Sequence, residues 1–308
     1  MITSPSYRPG DFSVLIPAHR AADYIIPALA AVAAQTRQPT EVLIYEDGRV
    51  DDLAARVAAF AVTAPFPIRV VSVARNTGVS RARNFLLGAA QGEFIAFLDA
   101  DDVWAPDHLA AAAACFGAGA DVAFSGVTFL DPAGEVIPGS AGPSDADLAN
   151  IAPVMFRYNF VQCTSTLCLR RSWIARVGAF DQTLSHGEDL DLWLRLLAAG
   201  AVWRYTGRTS CAYRKHPNSA MGQTLLATAR LTAFYEKQLG NTLLPRAQRR
   251  TALIDNLWVN ARLSWRADPA AAAAACRRLV QLQPWNLVAL GGWIFCAARR
   301  PSYRRQTT

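Results

Sequence analysis

From Phe12 onward, short apolar runs alternate with longer stretches in which apolar residues recur every three or four positions. Phe12–Pro17 (FSVLIP) is rich in β-formers and bounded by Gly10-Asp11 and Pro17, so it predicts a buried strand. Asp23–Thr36 places Ile25, Ile26, Leu29, Val32 and Ala33 at helical spacing, with Asp23 as its N-cap. Glu41–Tyr45 and Ile68–Val73 then predict strands, Asp51–Val62 and Val79–Ala90 helices, and Phe94–Leu98 a fourth strand. Strands separated by helices of this length make βαβ units and a parallel sheet. Ligands of such sheets bind beyond the carboxyl ends of the strands. Pro17-Ala18-His19, Glu46-Asp47-Gly48 and Asp99–Asp102 all fall there.

Past Asp107 the alternation loosens. Asp107–Phe116 predicts a helix, Val122–Phe129 a strand, and Asp131–Pro138 a hairpin. Pro138–Asn150, rich in Gly, Ser and Asp, is expected to be a mobile loop. Ser165–Leu169 predicts a strand, Glu188–Ala199 an amphipathic helix, and Val202–Tyr205 and Ser210–Tyr213 two short strands. After about Gln223 the pattern is helical throughout. Asp268-Pro269 and the alanine run behind it mark a helix start, and this stretch resembles part of a tetratricopeptide helix pair, too little for a repeat array and so a helical appendage. The expected division is a domain at 1–220 followed by a helical region at 221–308.

Charge sharpens that division. The 308 residues carry a net +7, but the excess is confined. Residues 241–308 hold eleven arginines against only Asp255 and Asp268, whereas residues 1–240 hold 20 basic and 22 acidic side chains. The same basic segment holds Trp258, Trp265, Trp285 and Trp293, half of the eight tryptophans. Two readings of it stand side by side: a helical cap with solvated arginines, and a peripheral contact with an anionic membrane through Arg299-Arg300, Arg304-Arg305 and interfacial Trp. Nucleic acid is not an expected partner, because the body is not basic and carries no recognition motif. The longest apolar run, Leu287–Ala298, is twelve residues, about 18 Å as a helix and short of a ~30 Å hydrocarbon core. No secretory h-region precedes Phe12, so a cytoplasmic location is expected, peripheral on the inner face of the plasma membrane if the tail docks there. The six cysteines form no CxxC pair and read as free thiols.

Three carboxylates in four residues, Asp99, Asp101 and Asp102, repel one another at a strand end and call for a cation or for donors. Carboxylate oxygens suit Mg²⁺ or Mn²⁺, which also bridge substrate phosphates. Arg81 and Arg83 stand where the third strand turns into its helix, and guanidinium groups suit phosphate and base carbonyls. Glu188-Asp189 opens the amphipathic helix; a carboxylate there complements the helix dipole or serves as a general base toward a hydroxyl.

Taken in order, SVLIPAHRAADYIIPALAAVAAQ, LIYEDGRVDD, NTGVSRARNFLLGAAQGEFIAFLDADD, HGEDLDLWLRL and YRKHPNS resemble the family-2 inverting glycosyltransferases, over about residues 12–217. The resemblance implies the GT-A fold: a Rossmann-like α/β domain with a mostly parallel central sheet flanked by helices, here with an all-helical C-terminal appendage. It further implies that Pro17, Ala18 and His19 line a nucleobase pocket and that Asp47 recognises the base. Arg83 would lie in a nucleotide-binding block. Asp99 would face ribose and metal, and Asp101 would be the main ligand of Mn²⁺ or Mg²⁺. Asp189 would be the catalytic base, with His216 near metal or diphosphate. The sequence departs from the usual pattern at Glu46-Asp47-Gly48-Arg49, where the first carboxylate is normally Asp and the last residue Ser. It also departs at Arg20, where Asn is usual, which leaves the nucleotide base open.

The expected activity is transfer from a nucleotide-diphosphate sugar, of the UDP class, to a glycan or lipid-linked acceptor in polysaccharide or glycolipid assembly. Only Lys215 and Lys237 of the 31 basic residues are lysine; with the alanine content this suits a GC-rich bacterial genome. A nucleotidyltransferase of similar fold would carry a Gly-rich loop with Lys where AHRAAD stands. A non-catalytic nucleotide-sugar-binding scaffold would have no need of Asp99, Asp101 and Asp189.

Overall fold

The computed structural model describes residues 8–215 and 224–298, and the chain divides into two compact units, Met1–His216 and Pro217–Thr308. In the first unit, β1 (Arg8–Ala18), α1 (Ile25–Ala33), β2 (Glu41–Asp47), α2 (Leu53–Ala61), β3 (Ile68–Val73), α3 (Val79–Ala89) and β4 (Gly92–Phe97) alternate as the apolar pattern requires. They are followed by β5 (Val103–Trp104), α4 (His108–Gly117), β6 (Val122–Leu130), β7 (Val136–Ala141), α5 (Asp145–Ala149) and α6 (Ile151–Arg157). A 3-10 turn (Thr164–Thr166), β8 (Leu167–Arg170), α7 (Ser172–Val177), α8 (Glu188–Ala198) and β9 (Trp203–Arg214) complete the unit.

One mixed sheet runs β3-β2-β1-β4-β8-β6-β9-β5, with β7 on β6. Its first four strands are parallel, in register at Val14 with Val42, Ile44 with Val70 and Val14 with Ala96. Strands β1, β2 and β4 are buried on both faces, which is why they read as unbroken apolar runs. Phe12, Val14, Ile16, Val42 and Ile44 face Leu29, Val32, Leu53 and Val57 of α1 and α2. Across the sheet, Phe97 packs on Phe180 and Trp193, ring centres 5.6 and 6.4 Å away. Trp193 belongs to α8, so the helix that begins at Glu188 is pinned by its apolar stripe behind β4.

Several expectations are corrected. Asp23 does not cap α1; Tyr24 occupies that position, and Asp23 pairs with Arg56 at 3.2 Å. Pro138–Asn150 is not an irregular loop. Strand β7 pairs with β6, and Ser144 and Asp147 form a reciprocal capping box on α5. The two strands expected between Val202 and Tyr213 are one, β9, which carries Gly207 at φ 69° and shifts register against β6. Such a shift absorbs an extra residue and bends the strand.

The second unit contains α9 (Thr224–Gln238), α10 (Arg246–Ala267), α11 (Pro269–Leu282) and α12 (Leu287–Ala298). Asp268 caps α11, its carboxylate accepting from Ala271 N at 3.0 Å, with Pro269 at the first helical position. Leu253, Leu257, Ala261, Leu279 and Ala289 form its core.

Candidate active site

The carboxyl ends of β1, β2 and β4 and the start of α8 bring the predicted residues into two linked groups. In the first, Pro17 and the buried Ala18 end β1, and Ala18 lies opposite Glu46 of β2. His19 is exposed, and its Nδ1 lies 2.5 Å from the Asp47 carbonyl oxygen. The next residue, Arg20, takes φ 53°, a left-handed conformation uncommon outside glycine. Such strain is found at functional turns and persists where surrounding contacts impose it. Gly48 is required here: φ is +95°, and a Cβ would sit 3.3 Å from Asn76 N and 3.4 Å from the His19 ring.

Asp47 uses both carboxylate oxygens within this group. Oδ1 accepts from Thr77 N at 2.6 Å and Thr77 Oγ1 at 2.9 Å, and Oδ2 accepts from Gly78 N at 2.8 Å. It thus fastens the end of β2 to the loop that starts α3. Its neighbour Glu46 is buried, and neither of its carboxylate oxygens meets a hydrogen-bond partner among the described residues.

The second group is centred on Arg83. Its side chain is only 5% exposed and donates through Nη2 to Asp99 Oδ1 at 2.8 Å and through Nη1 to Glu188 Oε1 at 2.9 Å. One guanidinium therefore ties α3 to the turn after β4 and to the start of α8. Burial alone would lower the Arg83 pKa. The two carboxylates outweigh it and raise it above the ordinary value. Asp189 follows Glu188 in the first turn of α8, and its Oδ1 accepts from Leu190 N at 2.7 Å. Although part of Asp189 reaches the surface, burial of its carboxylate and the adjacent Glu188 charge push its pKa up to about 6.

The acidic turn after β4 is held by donors as much as by charge. Asp102 is buried; its Oδ2 accepts from Ser165 Oγ at 2.5 Å and its Oδ1 from Arg214 N at 3.1 Å. Burial, then the charges of Asp101 and Asp99, raise its pKa well above the carboxylate range. Ser165 Oγ also accepts from Asp99 N at 2.9 Å, and Arg214 Nε donates to the Asp101 carbonyl oxygen at 3.0 Å. Asp102 is thus the anchor of the turn, leaving Asp99 and Asp101 at its outer part, each only partly buried. Asp99 Oδ2 accepts no hydrogen bond among the described residues. These two hard oxygen donors fit Mg²⁺ or Mn²⁺, whose remaining positions diphosphate and water can fill. A separate buried cluster, Asp102 with Cys163 and Cys211, brings three ligand atoms within 4.8 Å. Each oxygen of its carboxylate already accepts one hydrogen bond, from Ser165 and from Arg214. His216 lies outside the described residues.

Ser165, Arg214 and the bridging role of Glu188 escape a reading of the sequence. Arg214 lies beside a recognisable block at Tyr213-Arg214-Lys215, whereas Ser165 sits in an unremarkable Thr-Ser-Thr run.

A Rossmann-like sheet with an acidic turn after its fourth strand, faced by carboxylates at a helix start, defines a GT-A-type transferase fold. The chain matches the model of Glycosyl transferase family 2 over residues 13–140 and that of Glycosyl transferase family group 2 over residues 94–297. It belongs to the family-2 glycosyltransferases. It is 32% identical to the succinoglycan biosynthesis protein ExoU of Rhizobium meliloti (strain 1021) across 67% of this chain and 61% of ExoU. It is 27% identical to WfaP of Escherichia coli, a UDP-Glc:alpha-D-GlcNAc-diphosphoundecaprenol beta-1,3-glucosyltransferase, across 67% of this chain and 78% of WfaP. The chain thus spans about three fifths of ExoU. The fold is shared with S. aureus TarS 1-349 in complex with UDP-GlcNAc at TM-score 0.66 and 18% identity, covering 93% of this chain and 89% of that one. It is also shared with the mannosyltransferase PcManGT of Pyrobaculum calidifontis in complex with GDP-Man and Mn²⁺, at TM-score 0.61 and 18% identity, covering 96% and 87%.

Proposed function

We propose that this chain transfers a sugar from a nucleotide-diphosphate sugar, of the UDP class, to a hydroxyl of a glycan or lipid-linked acceptor, with inversion at the anomeric carbon. The observation that carries this is Asp189, raised to about 6 by burial and Glu188, in a group tied through Arg83 to Asp99. A base with its pKa just below neutral is ionised at pH 7 and still basic enough to accept a hydroxyl proton. Asp189 takes that proton as the acceptor oxygen bonds to the anomeric carbon, and the bond from that carbon to the diphosphate oxygen breaks on the opposite face. Asp99 and Asp101 would hold Mn²⁺ or Mg²⁺, which as a Lewis acid offsets the charge developing on the departing diphosphate. Pro17, Ala18 and His19 contact the nucleobase. Asp47 acts there through the loop it fixes, and Arg83 orients the two carboxylates. The UDP preference is supported by the donor named for WfaP and the ligand of the TarS complex; a lipid-linked acceptor and a place in polysaccharide assembly are supported by the names of WfaP and ExoU.

Asp189→Asn tests the assignment. Transfer should fall by about 10²–10⁴-fold, while the Kd for donor, measured by titration calorimetry with Mn²⁺, changes by less than about twofold. Near wild-type turnover in this variant removes Asp189 from the reaction.

A further inference from the structure

Helix α12 (LVALGGWIFCAA) contains no charged residue and is apolar on every side. One side is used: Ala289 and Cys296 are buried against α10 and α11. Gly292 brings α12 so close that a Cβ there would lie 3.1 Å from Cys276 Sγ. The opposite side has no protein cover among the described residues. Leu287 is 78% exposed, Val288 74% and Ile294 60%, and Trp285 just before the helix is 93% exposed. A helix apolar all round belongs inside something, and no described helix is long and apolar enough to cross a membrane. Beside this face, between α10 and α12, opens a cavity of about 700 Å³ lined by Trp258, Trp265 and Val288. Arg262 and Arg266, one turn apart on α10, line it as well, both exposed. Neither has an ion-pair or hydrogen-bond partner among the described residues. Arg278, by contrast, is committed to Glu236 at 2.6 Å. The described part of this unit carries nine Lys and Arg against three Asp and Glu.

We propose that the face formed by α12 and the α10–α12 groove docks on an anionic lipid bilayer. Leu287, Val288, Ile294 and Trp285 enter the headgroup–acyl boundary, and Arg262 and Arg266 receive lipid phosphates at the mouth of the groove. Charge selects this occupant. A second copy of the same unit would set arginine against arginine, whereas an anionic surface offers each guanidinium a phosphate it can bind through two N–H groups. Interfacial binding scales with buried apolar area plus attraction to anionic lipid; here α12 supplies the first and Arg262 and Arg266 of the neighbouring α10 the second. The docking is independent of the transfer chemistry proposed above.

The test is co-sedimentation of the full chain with vesicles of phosphatidylcholine alone or mixed with phosphatidylglycerol. The wild type should bind the mixed vesicles and bind the neutral ones at least tenfold more weakly. Arg262→Gln with Arg266→Gln should lower partitioning onto the mixed vesicles by about thirtyfold, from two lost basic contacts. Leu287→Ser with Ile294→Ser should lower it to a similar extent. All four positions are exposed, so melting temperature and donor affinity should hold at wild-type values, which separates a failure here from a failure of the transferase reading. Absence of binding to the mixed vesicles overturns the proposal, as does equal binding by wild type and both double variants. A lipid-free dimer that Leu287→Ser with Ile294→Ser dissolves also overturns it, since a second copy would then be the occupant.

Discussion

Asp189 is held where its charged form is disfavoured, and that has opposite consequences for rate and for stability. For rate, the base must be ionised. With a folded-state pKa of about 6, kcat/KM for transfer should rise with pH up to about 6 and level off above it. Glu188→Gln removes the neighbouring like charge and keeps a side-chain acceptor for Arg83. The acid limb of the pH–rate profile should therefore move to lower pH, and a limb that stays in place would detach Glu188 from the titration. For stability the sign reverses. A carboxyl whose pKa is raised on folding binds its proton more tightly in the native state, so stability is lost as pH climbs from the unfolded value, 3.8, through about 6. Asp189→Asn should thus leave unfolding by urea unchanged near pH 3.5 and stabilise the protein at pH 8 by about 1–2 kcal/mol, a figure discounted for the partial exposure of Asp189. A variant that is inactive and also more stable is the mark of a residue kept for chemistry. Asp189 could be singled out from its place in an acidic helix start. Its environment could not, because Arg83 and Glu188 lie 105 positions apart in the chain and only the packed fold makes them neighbours.

At the scale of elements, the parallel half of the sheet was legible because a strand buried on both faces has no alternative to a continuous apolar run. The apolar runs mark β3 to the residue and β1, β2 and β4 to within a few residues. The short helices α6 and α7 were not legible. The first contains Pro153, the second spans six residues, and neither is long enough to show a period. The hairpin expected at Asp131–Pro138 is present as the β6–β7 turn, but the continuation of β7 to Ala141 is not legible, because its Gly and Pro content reads as a loop and only pairing with β6 overrides that local preference. The end of the sheet away from the site was also silent in the sequence. There Glu41 accepts from Ser13 Oγ at 2.6 Å, Gln91 N at 2.7 Å and Arg69 Nη2 at 2.7 Å, and Ser13 Oγ accepts from Gly92 N at 2.8 Å. This knot locks the entries of β1, β2 and β4, and it demands glycine at position 92. A Cβ there would fall 2.7 Å from Ser13 N and 2.8 Å from the Asp11 carbonyl oxygen, both backbone atoms that cannot step aside. Gly92→Ala should cost about 2–3 kcal/mol in urea unfolding. Gly88→Ala in α3, where nothing lies within 4 Å of the added Cβ, should stabilise by about 0.5–1 kcal/mol. Equal effects of the two substitutions would mean that the β1–β4 entry is looser than its hydrogen bonds imply.

The whole molecule divides its charge as it divides its contacts. The first unit, which carries the site, is close to neutral, and its decisive charges are internal pairs such as Arg83 with Asp99 and Glu188. In the second unit Arg246, Arg250, Arg262, Arg266 and Arg277 are exposed, while Arg299-Arg300 and Arg304-Arg305, expected to contact an anionic membrane, lie outside the described residues. Salt acts differently on the two. Raising ionic strength from about 0.1 M to about 1 M shortens the Debye length from about 10 Å to about 3 Å, which screens exposed arginines facing an extended anionic surface. Buried pairs are screened far less, and a nucleotide diphosphate whose charge is largely met by a divalent ion presents little net charge to a neutral unit. Over that range, partitioning onto anionic vesicles should collapse by two orders of magnitude or more, at about thirtyfold for each pair of basic contacts screened. Donor affinity in the same buffers should change by only a few-fold. Vesicle binding and donor affinity measured across one salt series would therefore separate the two roles without any mutation. If donor affinity instead fell in parallel with vesicle binding, the surface arginines would belong to the nucleotide site, and the division of labour drawn from the charge pattern would have to be abandoned.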